Sequence, residues 1–204
     1  MSYWNIDEIF LALKQKNNFT QKPGIKDIVI DSRKLKKGDL FIAIKGKNYD
    51  GHDFIEDAIL KGASIVIGQK SKVNPKFPII AVKNTKSALI DLAKYLRKKL
   101  KNLLIVGITG SSGKTTLKEW IHSILKSNYS SYCNYGNFNN DIGMPLTLCN
   151  LPKKTQICVL EMGMNTKGEI RRLANIARPN VSVITNIGSA HIGNLNDRKA
   201  IAEE

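Results

Sequence analysis

Residues 107–116 read Gly-Ile-Thr-Gly-Ser-Ser-Gly-Lys-Thr-Thr, between the apolar run Leu103-Leu104-Ile105-Val106 and a segment with helical spacing. A glycine-rich turn in that setting demands a buried strand to launch it and a helix whose N-terminus faces the ligand, which commits this part of the chain to an α/β arrangement. The glycines let successive backbone N–H groups approach phosphate oxygens, Lys114 adds a mobile positive charge, and Thr115 offers a hydroxyl to Mg²⁺. A nucleoside triphosphate is the expected ligand. The strict pattern G-x-x-x-x-G-K-[ST] would put its first glycine at position 108, where the chain has Ile108, and Gly107 stands one residue too early. The loop is therefore a variant, and its variation carries information about family.

The remaining periodicity divides the chain. Asn5 with Glu8 three residues on has the form of a capping box, and Ile6, Ile9, Phe10 and Leu13 share one helical face. After the Pro23-Gly24 turn come strand-like runs at 28–30 and 40–44, a helix over about 53–61, and strands at 65–67 and 79–82. Residues 1–83 thus read as a small mixed α/β module. Residues 84–102 read as a connecting helix whose last turn, Arg97-Lys98-Lys99, suits a helix C-terminus. From residue 103 the pattern alternates: strand 103–108, helix 115–125, strand 157–160, helix 167–177, strand 181–185, and the first turns of another helix from Asp197. That alternation argues for a parallel sheet covered by helices over 103–204.

Composition limits the function classes. The chain has 204 residues, 42% of them hydrophobic, enough for one large or two small cores. No run approaches the roughly 20 apolar residues of a membrane span and no signal sequence precedes the first helix, so a cytoplasmic location is expected. Cys133, Cys149 and Cys158 show no C-x-x-C spacing, which suggests reduced, mostly buried thiols rather than a disulfide framework or zinc site. The net charge of +15 makes nucleic acid a rival ligand. Its scatter along the chain and its bias to lysine over arginine favour solvated surfaces and small anionic substrates.

In an open parallel sheet, ligands gather at the carboxyl ends of strands. Besides the loop, two such ends carry suitable groups. Glu161 directly follows Ile157-Cys158-Val159-Leu160, where it reads either as a solvated strand end or as a carboxylate that holds Mg²⁺ near the phosphates. Asn186 follows Val181-Ser182-Val183-Ile184-Thr185, and His191 lies five residues further in a Gly/Ser-containing loop where a neutral imidazole could take a second divalent cation. His122, inside a helix, reads as structural. The loop from Asn134 to Gly143 holds four asparagines within seven residues, Asn134, Asn137, Asn139 and Asn140. They are either turn residues that tolerate positive φ or fixed amides for a polar ligand.

Thr109-Gly110-Ser111-Ser112-Gly113-Lys114-Thr115-Thr116 resembles the T-G-[ST]-x-G-K-[ST]-[ST] loop of the Mur ligases, ATP-dependent amide-bond-forming enzymes of peptidoglycan precursor synthesis. Leu160-Glu161-Met162-Gly163 and Thr185-Asn186-Ile187-Gly188-x-x-His191 resemble two further motifs of that family, and the resemblance covers essentially the whole chain. Asp31-Ser32-Arg33, Gly38-Asp39-Leu40-Phe41-Ile42-Ala43, Gly46 and Asp50-Gly51-His52-Asp53-Phe54-Ile55 are similar to the uridine-nucleotide-binding domain of the members that add the third amino acid or the terminal dipeptide. The segment Gly136-Asn137-Phe138-Asn139-Asn140-Asp141-Ile142-Gly143-Met144-Pro145-Leu146-Thr147-Leu148 looks like the dipeptide-adding members specifically.

The resemblance implies a ligase that joins D-Ala-D-Ala to UDP-N-acetylmuramoyl-tripeptide through an acyl phosphate, with ATP and Mg²⁺ as cofactors. It implies ATP contacts from Thr109, Gly110, Ser111, Ser112, Gly113, Lys114, Thr115, Thr116 and Asn186. Metal ligation falls to Thr115, Glu161 and His191, and catalysis to Lys114, Glu161 and His191. Contacts to the UDP substrate are implied for Ser32, Arg33, Gly46, His52, Asn139 and Asn140. Small-molecule substrates, no nucleic acid, no membrane span and a monomer are expected. The alternatives are a member adding the third amino acid and a P-loop nucleic-acid-binding ATPase. Family members continue into a C-terminal domain that closes over ATP, and their carbamylated lysine would fall shortly after Glu204. The chain is therefore expected to be an N-terminal domain with an incomplete central domain, able to bind nucleotide but not to ligate.

Overall fold

In the computed structural model, residues 3–17, 19–20, 22–73, 79–188 and 198–204 are described. Contacts divide the chain into two units, Met1–Tyr95 and Leu96–Glu204. The division falls inside one helix, within the segment expected to connect two modules.

The first unit begins with α1 (Ile6–Ala12). Its start is set by the expected cap: Asn5 Oδ1 accepts the Glu8 N–H at 2.9 Å, and Asp7 and Glu8 place negative charge in the first turn. Strands β1 (Ile28–Val29), β2 (Leu40–Ile42), β3 (Ile65–Gln69) and β4 (Ile79–Val82) form one sheet in that order, every neighbouring pair parallel. A parallel sheet is covered on both faces, so its central strands need continuous apolar runs, and β2 is buried throughout. The segment expected as one helix over 53–61 splits into a 3₁₀ turn, Gly51–Phe54, and α2 (Ile55–Leu60). Asp50 caps that turn by accepting the His52 N–H. A Cβ at Gly51 would lie 2.7 Å from the backbone nitrogen of Ile44, so only glycine fits there. Leu35, Phe41, Ala43, Ile55, Ala58 and Val66 build the core on one face of the sheet.

Asp50 is the electrostatic keystone of this unit. Its carboxylate pairs with Lys72 and accepts from His52 Nδ1 at 2.6 Å. Those partners, Lys72 foremost, hold its carboxyl well below the usual 3.8 against the opposing effect of burial. Because the folded pKa is depressed, the stabilisation is present in full above the unfolded value and is lost as pH falls from there toward the folded one. Urea unfolding of Asp50→Asn across acidic pH is expected to show lower stability than the parent near neutrality and a flatter decline below about pH 4.

Helix α3 (Thr85–Lys99) crosses the division between units, burying Ala88, Leu89, Leu92, Ala93 and Leu96. In the second unit, β5 (Leu104–Thr109), β6 (Ser131–Cys133), β7 (Ile157–Glu161) and β8 (Val181–Ile184) form a parallel sheet in the order β6-β7-β5-β8. Among the described residues, the helices of this unit beyond α3 are α4 (Lys114–Lys126), α5 (Gly143–Cys149), α6 (Glu169–Ala177) and α7 (Arg198–Glu203). Near the division, the Arg97 guanidinium donates to the carbonyls of Ala177, Leu103 and Arg178 at 2.8, 3.1 and 2.9 Å and to Asn180 Oδ1 at 3.0 Å. It thereby ties the loops before β5 and β8 together. Cys149 and Cys158 are buried thiols outside any disulfide, and burial pushes their pKa up, while Cys133 is half-buried. His122 Nδ1 meets Ser131 Oγ at 2.9 Å, a structural contact.

Two elements went unread in the sequence, β6 and α5. Ser131-Tyr132-Cys133 is three residues long with no apolar alternation, too little for a period of two to register. All seven residues of α5 are buried, so it has no polar face and no helical periodicity. Its Gly143 and Pro145 argue for a turn, yet Pro145 sits in the first helical turn, where its missing N–H costs nothing. Among the described residues, no helix is long and apolar enough to cross a membrane.

Candidate functional site

The sheet order β7-β5-β8 makes neighbours of the three strand ends that carry Glu161, the glycine-rich loop and Asn186. Register sets Ile108 beside Glu161 and Thr109 beside Ile184. Chemistry that is spread over about 80 residues of sequence is thereby gathered at one edge.

The loop between β5 and α4 turns on Gly110 at φ +132° and Gly113 at φ +77°, conformations that residues with a Cβ rarely adopt. Its far side is strapped to the end of β8. Asn186 accepts the Ser111 N–H on its main-chain oxygen and the Ser112 N–H on Oδ1, each at 3.1 Å, and its Nδ2 donates to Ser112 Oγ at 2.7 Å. Thr185 Oγ1 donates to the Ser112 carbonyl at 2.6 Å, and the Gly188 N–H donates to Ser111 Oγ at 2.9 Å. Lys114, the first residue of α4, bends back so that Nζ donates to the Gly110 carbonyl at 2.6 Å. The ammonium is thus held within the loop, beside the helix N-terminus where an anion is favoured.

Across the cleft, the Glu161 carboxylate is bracketed. Thr115 Oγ1 donates to Oε2 and Asn139 Nδ2 donates to Oε1, both at 2.7 Å, and the residue is only 3% exposed. Each of its two oxygens thus accepts one side-chain hydrogen bond. Lys114, Thr115, Thr116, Asn137, Asn139, Asn140 and Glu161 are among the residues that line a polar cleft of about 550 Å³, together with Gly163, Met164 and Asn165 from the segment after β7. A hydroxyl and a carboxylate oxygen at hydrogen-bond distance are hard oxygen donors and fit Mg²⁺, which takes one or two protein oxygens and completes its shell with water and phosphate. Among the described residues, no cluster of three His, Cys, Asp or Glu is placed to hold a metal.

In the asparagine loop, the side-chain amides shape the turn and also line the cleft. Asn140 Oδ1 accepts the N–H groups of Ile142 and Gly143 at 3.1 and 2.8 Å and so starts α5. Asn139 holds Glu161, and Asn137 faces the cleft. Asn139 and Asn140, taken above with the UDP substrate, thus lie at the cleft of the phosphate loop. His191 lies outside the described residues.

In the first unit, Ser32 is buried, and its carbonyl accepts from Lys61 Nζ at 3.2 Å. Arg33 projects outward, 87% exposed, and pairs through Nε and Nη2 with Asp31 at 2.9 and 2.8 Å. An exposed pair of this kind is worth little and leaves the guanidinium able to turn to an anion. The Gly46 N–H donates to the Tyr49 carbonyl at 2.9 Å, closing a tight turn. His52 is committed to the fold: Nδ1 meets Asp50, and Nε2 accepts the Gln69 N–H at 2.9 Å. Both ring nitrogens are spoken for, so any contact of His52 with a ligand would first have to break one of these bonds.

Two buried polar residues stand behind the lining of the cleft, Lys118 on α4 and Asn134 after β6, and sequence reasoning singled out neither. Lys118 reads as one more solvated lysine on a basic helix, and Asn134 as one of four loop asparagines that are either turn residues or fixed amides. Only spacing could have marked Lys118, which stands one helical turn after Lys114.

Comparison with known proteins relates the chain to one family. The chain matches the Mur ligase middle domain over residues 108–204 and the Mur ligase family catalytic domain over 24–101. It is 45% identical over 181 residues to UDP-N-acetylmuramoyl-tripeptide--D-alanyl-D-alanine ligase of Bacillus subtilis, covering 88% of this chain and 39% of that protein. The protein of the same name in Rickettsia prowazekii is 39% identical over 201 residues, covering 98% of this chain and 44% of its own. Among solved structures, MurF from Acinetobacter baumannii superposes with a TM-score of 0.88 at 35% identity, over 98% of this chain and 44% of that one. MurF from Thermotoga maritima in complex with ADP superposes with a TM-score of 0.77 at 40% identity, over 87% of this chain and 41% of that one. The chain spans 39–44% of the length of these relatives.

Proposed function

This chain belongs to the Mur ligase family, and from that premise we propose that it forms the UDP-substrate and ATP-binding portion of a ligase that adds D-Ala-D-Ala to UDP-N-acetylmuramoyl-tripeptide. The observation that carries this reading is the convergence of Lys114, Thr115, Asn139 and Glu161 on one polar cleft at the ends of neighbouring parallel strands. It is supported by the names of the relatives and by the ADP bound to one of them.

In the reaction proposed, the tripeptide carboxylate attacks the γ-phosphorus of ATP, the bond to the bridging oxygen breaks, and ADP leaves. The dipeptide amine then attacks the acyl phosphate, and inorganic phosphate and a proton depart. Two anions must approach each other in the first step, so the protein's task is to neutralise and orient. The loop N–H groups and Lys114 bind and orient the phosphates. Thr115 and Glu161 would hold Mg²⁺, with His191 proposed at a second cation. Bound there, Mg²⁺ would draw charge from the phosphate oxygens. Asn139 keeps the Glu161 carboxylate turned to the cleft, and Asn186 keeps the loop in shape. Ser32, Arg33, Gly46 and His52 are the proposed contacts of the UDP substrate, with Arg33 the best placed of the side chains to reach a diphosphate. A monomer acting on polyanions in the cytoplasm accounts for part of the +15 net charge without nucleic acid.

Calorimetric titration tests the substrate assignment. UDP-muramoyl-tripeptide is expected to bind, UDP-muramoyl-dipeptide to bind more weakly, and a mixed-sequence oligonucleotide at physiological salt not to compete. Preference for the dipeptide would point to a ligase adding the third amino acid. Tight, salt-sensitive oligonucleotide binding would point instead to a nucleic-acid ATPase.

A further inference from the structure

β6 ends at Cys133, paired in parallel with Val159, and the chain then leaves the sheet. The Asn134 side chain, 0% exposed, takes over where the backbone ladder stops. Its Oδ1 accepts the Glu161 N–H at 2.8 Å, and its Nδ2 donates to the Glu161 carbonyl at 3.0 Å. A side-chain amide thus stands in for a strand partner opposite the residue whose carboxylate faces the cleft. The same Nδ2 donates to the Phe138 carbonyl at 2.9 Å, which fixes the loop immediately before Asn139. The main-chain oxygen of Asn134 accepts from Lys118 Nζ at 2.8 Å. Lys118 is fully buried on α4, the helix that also carries Thr115, and its ammonium is neutralised by Glu119 Oε1 at 3.0 Å.

These bonds close a ring from Thr115 to the Glu161 carboxylate, through the Glu161 backbone to Asn134, and through Lys118 back to α4. A branch runs from Asn134 through Phe138 to Asn139 and returns to the other carboxylate oxygen. Asparagine suits the hub because it carries a donor and an acceptor on one carbon. An apolar residue of similar size leaves the Glu161 N–H and C=O without partners in a buried site.

We propose that Asn134, seated on Lys118, is a positioning residue for the divalent-cation site: it fixes the Glu161 backbone and the Asn139 loop so that carboxylate and Thr115 hydroxyl are pre-set for Mg²⁺. The proposal rests on the ATP-site reading given above. Groups that orient metal ligands without touching the metal typically govern metal affinity by about 10- to 100-fold. They leave the cation-independent part of nucleotide binding alone.

The test is binding of a fluorescent ATP analogue to the chain and to Asn134→Leu, in EDTA and across a Mg²⁺ titration. Mn²⁺ binding followed by electron paramagnetic resonance gives a readout independent of nucleotide fluorescence. The half-saturating Mg²⁺ concentration is expected to rise about 10-fold or more in Asn134→Leu, with weaker Mn²⁺ binding and unchanged analogue affinity in EDTA. Should Asn134→Leu fail to fold by circular dichroism, Lys118→Met, which keeps the buried volume, is expected to show the same separation. An unchanged Mg²⁺ dependence, or a parallel loss in EDTA, overturns the positioning role while leaving the ATP-site reading intact. Failure of the unmodified chain to bind the analogue at all overturns the ATP-site reading, and the positioning role with it.

Discussion

Lys114→Met is expected to weaken ATP binding by about 2–5 kcal/mol, roughly 30-fold to 5000-fold, while leaving the melting temperature of the chain nearly unchanged. Lys114 opens α4, and its Nζ bends back onto the Gly110 carbonyl at 2.6 Å, with the Ser111 carbonyl at 3.5 Å. Both partners are neutral carbonyls, so removal of the ammonium breaks no ion pair in the folded chain. The bound triphosphate loses more, because the ammonium sits beside the helix N-terminus where the phosphate charge would bind, and its removal leaves that charge without its cationic partner. Methionine keeps the unbranched reach of lysine and its compatibility with a helix. Parallel calorimetric and thermal-unfolding measurements separate the two effects. ATP binding that survives Lys114→Met undiminished would remove this loop from the nucleotide site.

Gly110→Ala is expected to be the most damaging of the small substitutions in the loop, and Gly113→Ala a mild one by comparison. Gly110 lies at φ +132°, and a Cβ there would fall 2.1 Å from Thr185 Oγ1 and 3.0 Å from the backbone N and O of Asn186. Thr185 cannot swing aside freely, since its hydroxyl donates to the Ser112 carbonyl at 2.6 Å, and Asn186 is the strap that holds Ser111 and Ser112. Backbone strain of about 1–3 kcal/mol is therefore joined by displacement of the loop from the end of β8. Gly113 is also left-handed, at φ +77°, but a Cβ there meets nothing within 4 Å, so only the conformational cost of about 1–2 kcal/mol applies. Denaturant midpoints should rank parent above Gly113→Ala above Gly110→Ala, with nucleotide binding lost in the last. Equal behaviour of the two alanine variants would contradict the strapped geometry.

What was legible in the sequence follows from which forces write themselves into local pattern. The Asn5 cap, the glycine loop and the strand ends at Glu161 and Asn186 were readable because each is a short-range requirement: a side chain meets its own helix, or a turn needs a missing Cβ. Helix α5 was not, because total burial erases the amphipathic signal and leaves Gly143 and Pro145 to suggest a turn. Strand β6 was not, because three mixed residues are held by pairing with β7 rather than by their own propensity. His52 is a different case. Its sequence neighbourhood resembles a substrate-binding segment, yet the imidazole bridges Asp50 and Gln69, a contact that only the packing of the 3₁₀ turn on β3 reveals. Asn134 and Lys118 belong to the same class. Their burial depends on where β6 ends relative to α4, and nothing local in the sequence encodes it.

The most direct measurement of the central claim, that the loop, Glu161 and Asn139 form one Mg²⁺-dependent ATP site, is equilibrium titration of the chain with ATP in EDTA and in excess Mg²⁺, alongside Glu161→Gln. The expected result is one ATP per chain, bound more tightly with Mg²⁺, displaced by ADP, and with the Mg²⁺ enhancement abolished in Glu161→Gln. No saturable ATP binding, or a Mg²⁺ enhancement that persists in Glu161→Gln, would contradict it.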